Sequence, residues 1–295
     1  MKVSILGVRG SRPVSSHNMM RYGGNTTSFR IDIDGIPPIF VDGGTGLYEE
    51  GIRLASQPGP LRIYMLVTHT HWDHILSYPL FEPFYRQDCE VTFFAPVSEK
   101  ADFPRLIRGQ HHDRTFPRSF NEITAHIEYR SFSGGEKFKL DGATISAFRL
   151  NHPGITIGWR IEHDERAVCI ITDNAPVENN YLGEGMRERA AADPQAFEKE
   201  FNDSLTDFIL GADLVIYDTH FDEAGIKNRR HWGHSTPQTA TAFALEAGVR
   251  HLLLHHHAPE DTDFMVDRKL DEARSIAGEQ NLVVEAAAEG MVLWL

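Results

Sequence analysis

The stretch Arg62-Ile63-Tyr64-Met65-Leu66-Val67-Thr68-His69-Thr70-His71-Trp72-Asp73-His74 decides how this chain is read. Its first half is apolar and predicts a strand over residues 62–67 that runs straight into a polar cluster. The second half places His69, His71, Asp73 and His74 within six residues. Imidazole and carboxylate are the usual ligands of zinc and similar divalent ions, and one ion needs several of them converging from different segments. On an extended segment His69 and His71 point to one side, while Asp73 and His74 swing round the following turn, so this loop can serve two neighbouring metals. Core packing does not explain the cluster, because burying four such groups without partners would be costly.

Outward from that loop, the chain reads as a series of strands. Residues 2–7 and 28–34 form the first two, joined by a loop rich in Gly, Ser and Asn that ends Tyr22-Gly23-Gly24-Asn25-Thr26-Thr27. Ile39-Phe40-Val41 leads into Asp42-Gly43-Gly44-Thr45-Gly46, where the glycines end a strand and let backbone approach closely. A helix is predicted over 46–55, and further strands at 90–95, 126–132, 144–150, 155–162 and 167–172 imply packed sheets. Residues 177–210 change character. After a polar loop, Asp193-Pro194 supplies an N-cap and first-turn proline for an amphipathic helix through Phe197, Phe201, Leu205 and Phe208, an inserted helical element packed over the core. A strand at 213–217 and a loop carrying Lys227-Asn228-Arg229-Arg230-His231 follow. Ser235 or Thr236 then caps a helix that starts at Pro237 and ends near Gly248, and a strand at 249–254 delivers His255, His256 and His257.

The 295 residues are read as a single domain, 1–295, and 41% hydrophobic with 24% charged residues is enough apolar content for a core that needs no staples. Cys89 and Cys169 sit in apolar, strand-like settings outside any Cys-x-x-Cys pair and are expected to be buried thiols. A net charge of −13 argues against the broad phosphate-neutralising surface that long nucleic acids require, but leaves room for a small anionic substrate. The N-terminal apolar run is too short for a signal peptide and no uncharged stretch is long enough to span a membrane, so a cytoplasmic protein without a membrane partner is expected.

The His-x-His-x-Asp-His hexapeptide after a strand resembles the signature of the metallo-β-lactamase superfamily, and the resemblance runs along nearly the whole chain. It implies an α/β fold, the four-layered αββα sandwich, with a dinuclear site at one edge between the sheets. Asp42, in Val41-Asp42-Gly43-Gly44, matches the family's early strand-end Asp, which orients ligands. His152 in Asn151-His152-Pro153-Gly154 and Asp173 in Ile171-Thr172-Asp173-Asn174 match the next two expected ligands. For the last ligand the run Leu254-His255-His256-His257-Ala258-Pro259 aligns His256 with the family's histidine, leaving His255 and His257 pointing away to make a hydrogen bond or a solvent contact. The resemblance thus implies one divalent metal on His69, His71 and His152, a second on Asp73, His74 and His256, and Asp173 between them. Zinc is the first expectation, with manganese and iron accepted by the same donors. A metal-bridging hydroxide would be the nucleophile of a hydrolysis. The oxygen-reducing di-iron branch of the fold has Glu where this chain has His71.

Trp232-Gly233-His234-Ser235-Thr236 is similar to the His-Ser-Thr segment of the ribonuclease Z branch and its phosphodiesterase relatives. There the histidine contacts the scissile phosphate and assists departure of the alkoxide, which gives His234 a catalytic role here and Asp73 a share in steering the water. No Gly- and Lys-rich insertion resembles the tRNA-gripping arm of ribonuclease Z. Arg9-Gly10-Ser11-Arg12-Pro13 with Arg21-Tyr22-Gly23-Gly24-Asn25-Thr26 looks instead like the opening of bacterial phosphodiesterase-like members. The expected substrate is therefore a cyclic nucleotide or other small phosphodiester. The alternatives are tRNA 3′ processing, and hydrolysis of a thioester, lactone or β-lactam on the same metals. Arg105, Arg108, Arg114 and Arg118, with His111 and His112, are read as surface charge, Lys227–His231 as a possible lining of the substrate entrance, and a homodimer is suggested by analogy with the branch.

Overall fold

The computed structural model describes residues 1–96, 103–177 and 184–295; residues 178–183 of the expected polar loop, and the side chains of Glu184 and Arg230, lie outside the described residues. In chain order the elements are β1 (Lys2–Gly7), β2 (Ser28–Asp32), β3 (Ile39–Val41), α1 (Leu47–Ala55), β4 (Leu61–Leu66), α2 (Trp72–Ile75), β5 (Cys89–Pro96) and α3 (Phe103–Gln110). Then come β6 (His126–Phe132), β7 (Lys137–Leu140), β8 (Ala143–Leu150), β9 (Thr156–His163), β10 (Arg166–Ile171), α4 (Glu184–Ala192) and α5 (Pro194–Ile209). The last third holds β11 (Leu214–Asp218), α6 (Glu223–Ile226), α7 (Pro237–Glu246), β12 (His251–His255), α8 (Asp263–Ala277), β13 (Val283–Ala286) and β14 (Val292–Trp294).

The strands form two seven-stranded sheets, ordered β14-β1-β2-β3-β4-β5-β6 and β13-β12-β11-β10-β9-β8-β7. In the first, β3 to β6 run parallel; in the second, β10 to β13 do. Strands buried on both faces must be apolar at odd and even positions alike, as β3 and the buried stretches of β4, β10, β11 and β12 are, up to the polar residues that close β11 and β12. In β11, Leu214 and Ile216 join Val3, Ile31, Tyr64 and Trp159 in the core between the sheets, while Val215 and Tyr217 pack outward among Leu205, Ile209 and Ala244 of the covering helices. In β4, Tyr64 and Leu66 face inward and Ile63 and Met65 face an outer, aromatic-rich layer with Phe81, Phe84 and Phe103. Three apolar layers between four layers of secondary structure make the αββα sandwich that the resemblance implied.

The expected strand 28–34 stops at Asp32, the strand at 249–254 begins at His251, and the helix from Pro237 ends at Glu246. Between 184 and 209 there are two helices rather than one. Asp193 does cap the second, accepting from the Ala196 amide at 3.0 Å, but α4 carries no clear apolar stripe and so gave no periodic signal. Thr236, not Ser235, caps α7, accepting from the Thr239 amide; the Ser235 hydroxyl donates to the Asn174 carbonyl. Strands β7, β13 and β14 and helices α3 and α8 went unread because they are short or charge-rich, with Lys137-Phe138-Lys139-Leu140 as the clearest case. Among the described residues no helix is long and apolar enough to cross a membrane. Both cysteines are free and buried, and burial pushes the thiol of Cys89 up to about 11 and that of Cys169 up to about 12.

Candidate metal centre

Parallel strands end on a common rim, and the rim of this sandwich collects the polar residues that follow the strand ends. Asp42 follows β3, His69 follows β4, Asp173 follows β10, Asp218 closes β11, His256 follows β12, and His152 sits just past β8. Asp42, Asp173 and His256 have φ of 61°, 50° and 61°, a left-handed conformation uncommon for residues with a side chain. Three such residues on one rim show the backbone turning sharply to aim strand-end side chains at a shared point. Asp42, fully buried, accepts from the Thr68 amide and hydroxyl, both at 2.7 Å, and lies 2.7 Å from His74 Nδ1, so it sets the ring of His74 with Nε2 forward. His152 is aimed likewise, donating from Nδ1 to the Gly233 carbonyl at 2.7 Å.

Asp173 stands at the centre with its two oxygens divided. Oδ2 lies 3.5 Å from His69 Nε2 and 3.6 Å from His152 Nε2, whereas Oδ1 lies 3.4 Å from His74 Nε2 and 3.1 Å from His256 Nε2. His71 Nδ1 closes the first group, 3.1 Å from His152 Nε2. Asp73 Oδ2 closes the second, 3.3 Å from both His74 Nε2 and His256 Nε2, and also accepts from the Ser11 amide at 2.7 Å. Candidate ligand atoms of His69, His71, His152 and Asp173 lie within 4.8 Å of one another, as do those of Asp73, His74 and His256. Two of the inward nitrogens, His69 Nε2 and His74 Nε2, are buried without a hydrogen-bond partner. An orphaned buried nitrogen is costly, and a cation beside it removes the cost; nitrogen and carboxylate donors in this arrangement fit a pair of divalent ions.

The electrostatics follow from burial and crowding. Desolvation holds His69 well below the ordinary imidazole range, and His152 is lowered to about 3 by the same cause. For His74 desolvation is outweighed by Asp73, Asp173 and Asp42, which raise it well above that range. Burial acts to raise Asp73 and Asp173, yet the surrounding imidazoles hold both well below the carboxylate range. Asp42 goes the other way, raised by burial despite His74.

The fold therefore brings together the residues read as ligands, ligand-orienting or catalytic groups: Asp42, His69, His71, Asp73, His74, His152, Asp173, His256 and, at the edge, His234. His255 and His257 turn away, with their Nε2 atoms bound to the carbonyls of Gly7 at 3.0 Å and Ala287 at 2.9 Å. His234 Nδ1 lies 2.9 Å from Asp218 Oδ2 and 4.0 Å from Asp173 Oδ2. Its pKa is raised: burial opposes the charge, but Asp218, Asp173 and Asp73 together outweigh burial. Asp218 and His220 were missed. The His220 ring stacks on His234 at 4.4 Å between centroids, and its amide donates to Asp218 Oδ1 at 2.9 Å. The signal was present, since Asp218 closes an apolar strand as Asp42 and Asp173 follow theirs. In the basic stretch, Arg118 pairs with Glu82 and stacks on Tyr85, and Arg108 lies over Phe120, so both are engaged locally.

A histidine and aspartate cluster on the shared rim of an αββα sandwich defines the metallo-β-lactamase class of protein. The beta-lactamase superfamily domain matches residues 38–257, and the chain belongs to that family. Over 99% of its length it is 23% identical to ribonuclease Z of Haloarcula marismortui, covering 97% of that protein. Human tRNase Z, short form, superposes with a TM-score of 0.64 at 20% identity, with 100% of this chain and 99% of that one covered. A diphosphatase from the PhnP family superposes with a TM-score of 0.64 at 17% identity, covering 100% and 97% of the two chains.

Proposed function

We propose that this protein is a metal-dependent hydrolase of phosphodiesters, with a cyclic nucleotide or another small phosphodiester as substrate. The observation that carries the reading is His234, held by Asp218 at 2.9 Å on the edge of the cluster. Departure of an alkoxide from phosphorus calls for a proton donor at that position, whereas the thiolate of a thioester leaves without one. His69, His71 and His152 would hold one divalent ion and Asp73, His74 and His256 the other, with Asp173 facing both. Such ions, zinc first and manganese or iron next, supply a water of lowered pKa and polarise the phosphoryl oxygen. Around them Asp42 fixes His74, the Gly233 carbonyl fixes His152, and the Ser11 amide fixes Asp73 at 2.7 Å, so that Asp73 can also orient the attacking water. Asp218 occupies His234 Nδ1 and favours the protonated ring, which leaves Nε2 to deliver the proton to the departing oxygen.

The relatives support chemistry at phosphorus, since a tRNase and a diphosphatase share this fold at full length. The net charge of −13 and the absence of a Lys- and Gly-rich arm in the sequence favour the smaller substrate. The full-length likeness to ribonuclease Z keeps tRNA 3′ processing as the second reading. We read residues 1–295 as one cytoplasmic domain, with a homodimer as the assembly by analogy with that branch.

The test is hydrolysis of bis(p-nitrophenyl) phosphate by protein reconstituted in turn with zinc and manganese, beside a His256→Ala control and precursor tRNA as competing substrate. Metal-dependent turnover that the control loses supports the phosphodiester reading. Faster, site-specific cleavage of precursor tRNA transfers it to RNA processing. No turnover with either ion despite two bound per chain refutes it, and acyl substrates would then be examined with His234→Ala, which should leave them unaffected.

A further inference from the structure

We propose that a cleft beside His71 is the specificity pocket for a planar, apolar group on one ester arm of the phosphodiester; the proposal rests on the phosphodiester reading above. The cleft holds about 420 Å³, within the range of small-ligand sites, and Thr70, Trp72, Leu80, Leu106, Gly109 and Phe116 line it. None of its described lining residues is charged. Trp72 is 71% exposed and Leu80 41%, so the cleft presents apolar surface to solvent beside a cluster of buried polar groups.

Its position follows from the signature loop itself. His71 has extended backbone, with φ −65° and ψ 153°, so Thr70 and Trp72 turn to the opposite side of the chain from His71. Thr70 and Trp72 are the chain neighbours of His71, so the loop that carries His71 also forms one wall of the cleft. Of the group His69, His71, His152 and Asp173, His71 is the exposed member. A substrate phosphorus reaching the centre from this open side carries one ester arm past Trp72, whose indole offers a flat face for a ring to stack on. The described lining residues include no cation to pair with further phosphates, so the occupant is an uncharged ring system such as a nucleobase or aryl group rather than a continuing nucleic-acid backbone.

The experiment compares two diesters with the same p-nitrophenyl leaving group, one with a methyl and one with a 2-naphthylmethyl second arm, whose intrinsic reactivities at phosphorus are similar. Burial of the naphthyl ring should raise kcat/KM by about 10- to 100-fold in the wild-type protein loaded with zinc or manganese. Two variants close the cleft. Gly109→Phe fills it, and a Cβ at Gly109 meets no atom within 4 Å, so the fold accommodates the change. Leu80→Glu places a charge in it. The preference should fall to within about threefold of unity in both, a loss of most of the discrimination expected of a filled or charged apolar pocket. Equal rates on the two diesters in the wild type, or a preference that survives in the folded variants, overturns the pocket while leaving the phosphodiester reading in place. Absence of turnover on both diesters overturns that reading and the pocket with it.

Discussion

Replacing His234 by alanine removes the proposed proton donor while leaving every proposed metal ligand in place. Its ring is 2.9 Å from Asp218 Oδ2, and that carboxylate raises its pKa above the ordinary 6.5 against the effect of burial. The ring is therefore held toward its charged form, which carries a transferable proton. Donation by a positioned side chain contributes about 10²- to 10⁴-fold, or about 3–5 kcal/mol of barrier. The loss should fall on substrates whose leaving oxygen needs that proton. A cyclic nucleotide, which expels an alkoxide, should lose the full factor in kcat/KM; bis(p-nitrophenyl) phosphate, which expels a stabilised phenolate, should lose less than about tenfold. The pH dependence has a definite sign. The protonated ring is the active form, so the rate on the alkoxide substrate declines as pH rises through the folded-state pKa, which lies above 6.5. Asp218→Asn removes the foremost of the carboxylate charges that raise it, leaves only Asp173 and Asp73 to oppose burial, and moves this limb to lower pH. The assay is steady-state kinetics from pH 5.5 to 9.5 at matched metal content. Equal losses on both substrates, or an unmoved limb in Asp218→Asn, would refute the assignment of His234.

Gly10→Ala should weaken metal binding and lower Tm, because a Cβ there would sit 2.4 Å from His256 Cε1 and 2.5 Å from its Nδ1. Overpacking of this kind costs about 1–3 kcal/mol, and unchanged metal content by mass spectrometry would show that the rim yields more easily than argued. Lys269, 5% exposed, donates to the carbonyls of Thr219 at 2.9 Å and His220 at 2.5 Å and pairs with Asp261 at 2.6 Å. Lys269→Met strands that buried carboxylate and frees the segment carrying His220, so denaturant unfolding should show a loss of about 3–5 kcal/mol. With thiol pKa values near 11 and 12, Cys89 and Cys169 should resist alkylation at pH 8 in the folded protein and both react once it is unfolded; rapid labelling of the native chain would contradict their placement.

The sandwich and most of the metal centre were legible because their signals are local. An apolar strand followed at once by four ligand-type residues can be recognised in a dozen positions of sequence, and the strand-end aspartates and His152 stand in the order that the family resemblance requires. His256 could be chosen among three histidines by alignment, and the structure supplies the reason, since a left-handed turn at His256 sends its neighbours to the Gly7 and Ala287 carbonyls. The unread elements are those whose stability comes from elsewhere. Charge-rich α8 and short β13 and β14 are held by the sheet edge and outer layer they cover, not by a periodic pattern of their own.

What the sequence by itself determined is the set of groups able to bind metal, the strands that carry them and the fold class they belong to, because ligand chemistry and apolar alternation are properties of neighbouring residues. What only the tertiary structure decided is the partnership of groups far apart in the chain. Asp173 divides its oxygens between four histidines from three segments, Asp218 takes charge of His234 sixteen residues on, and Trp72 opens into a cleft walled by α3. Those relations arise when parallel strands end on one rim, and the sequence alone sets no distance across it.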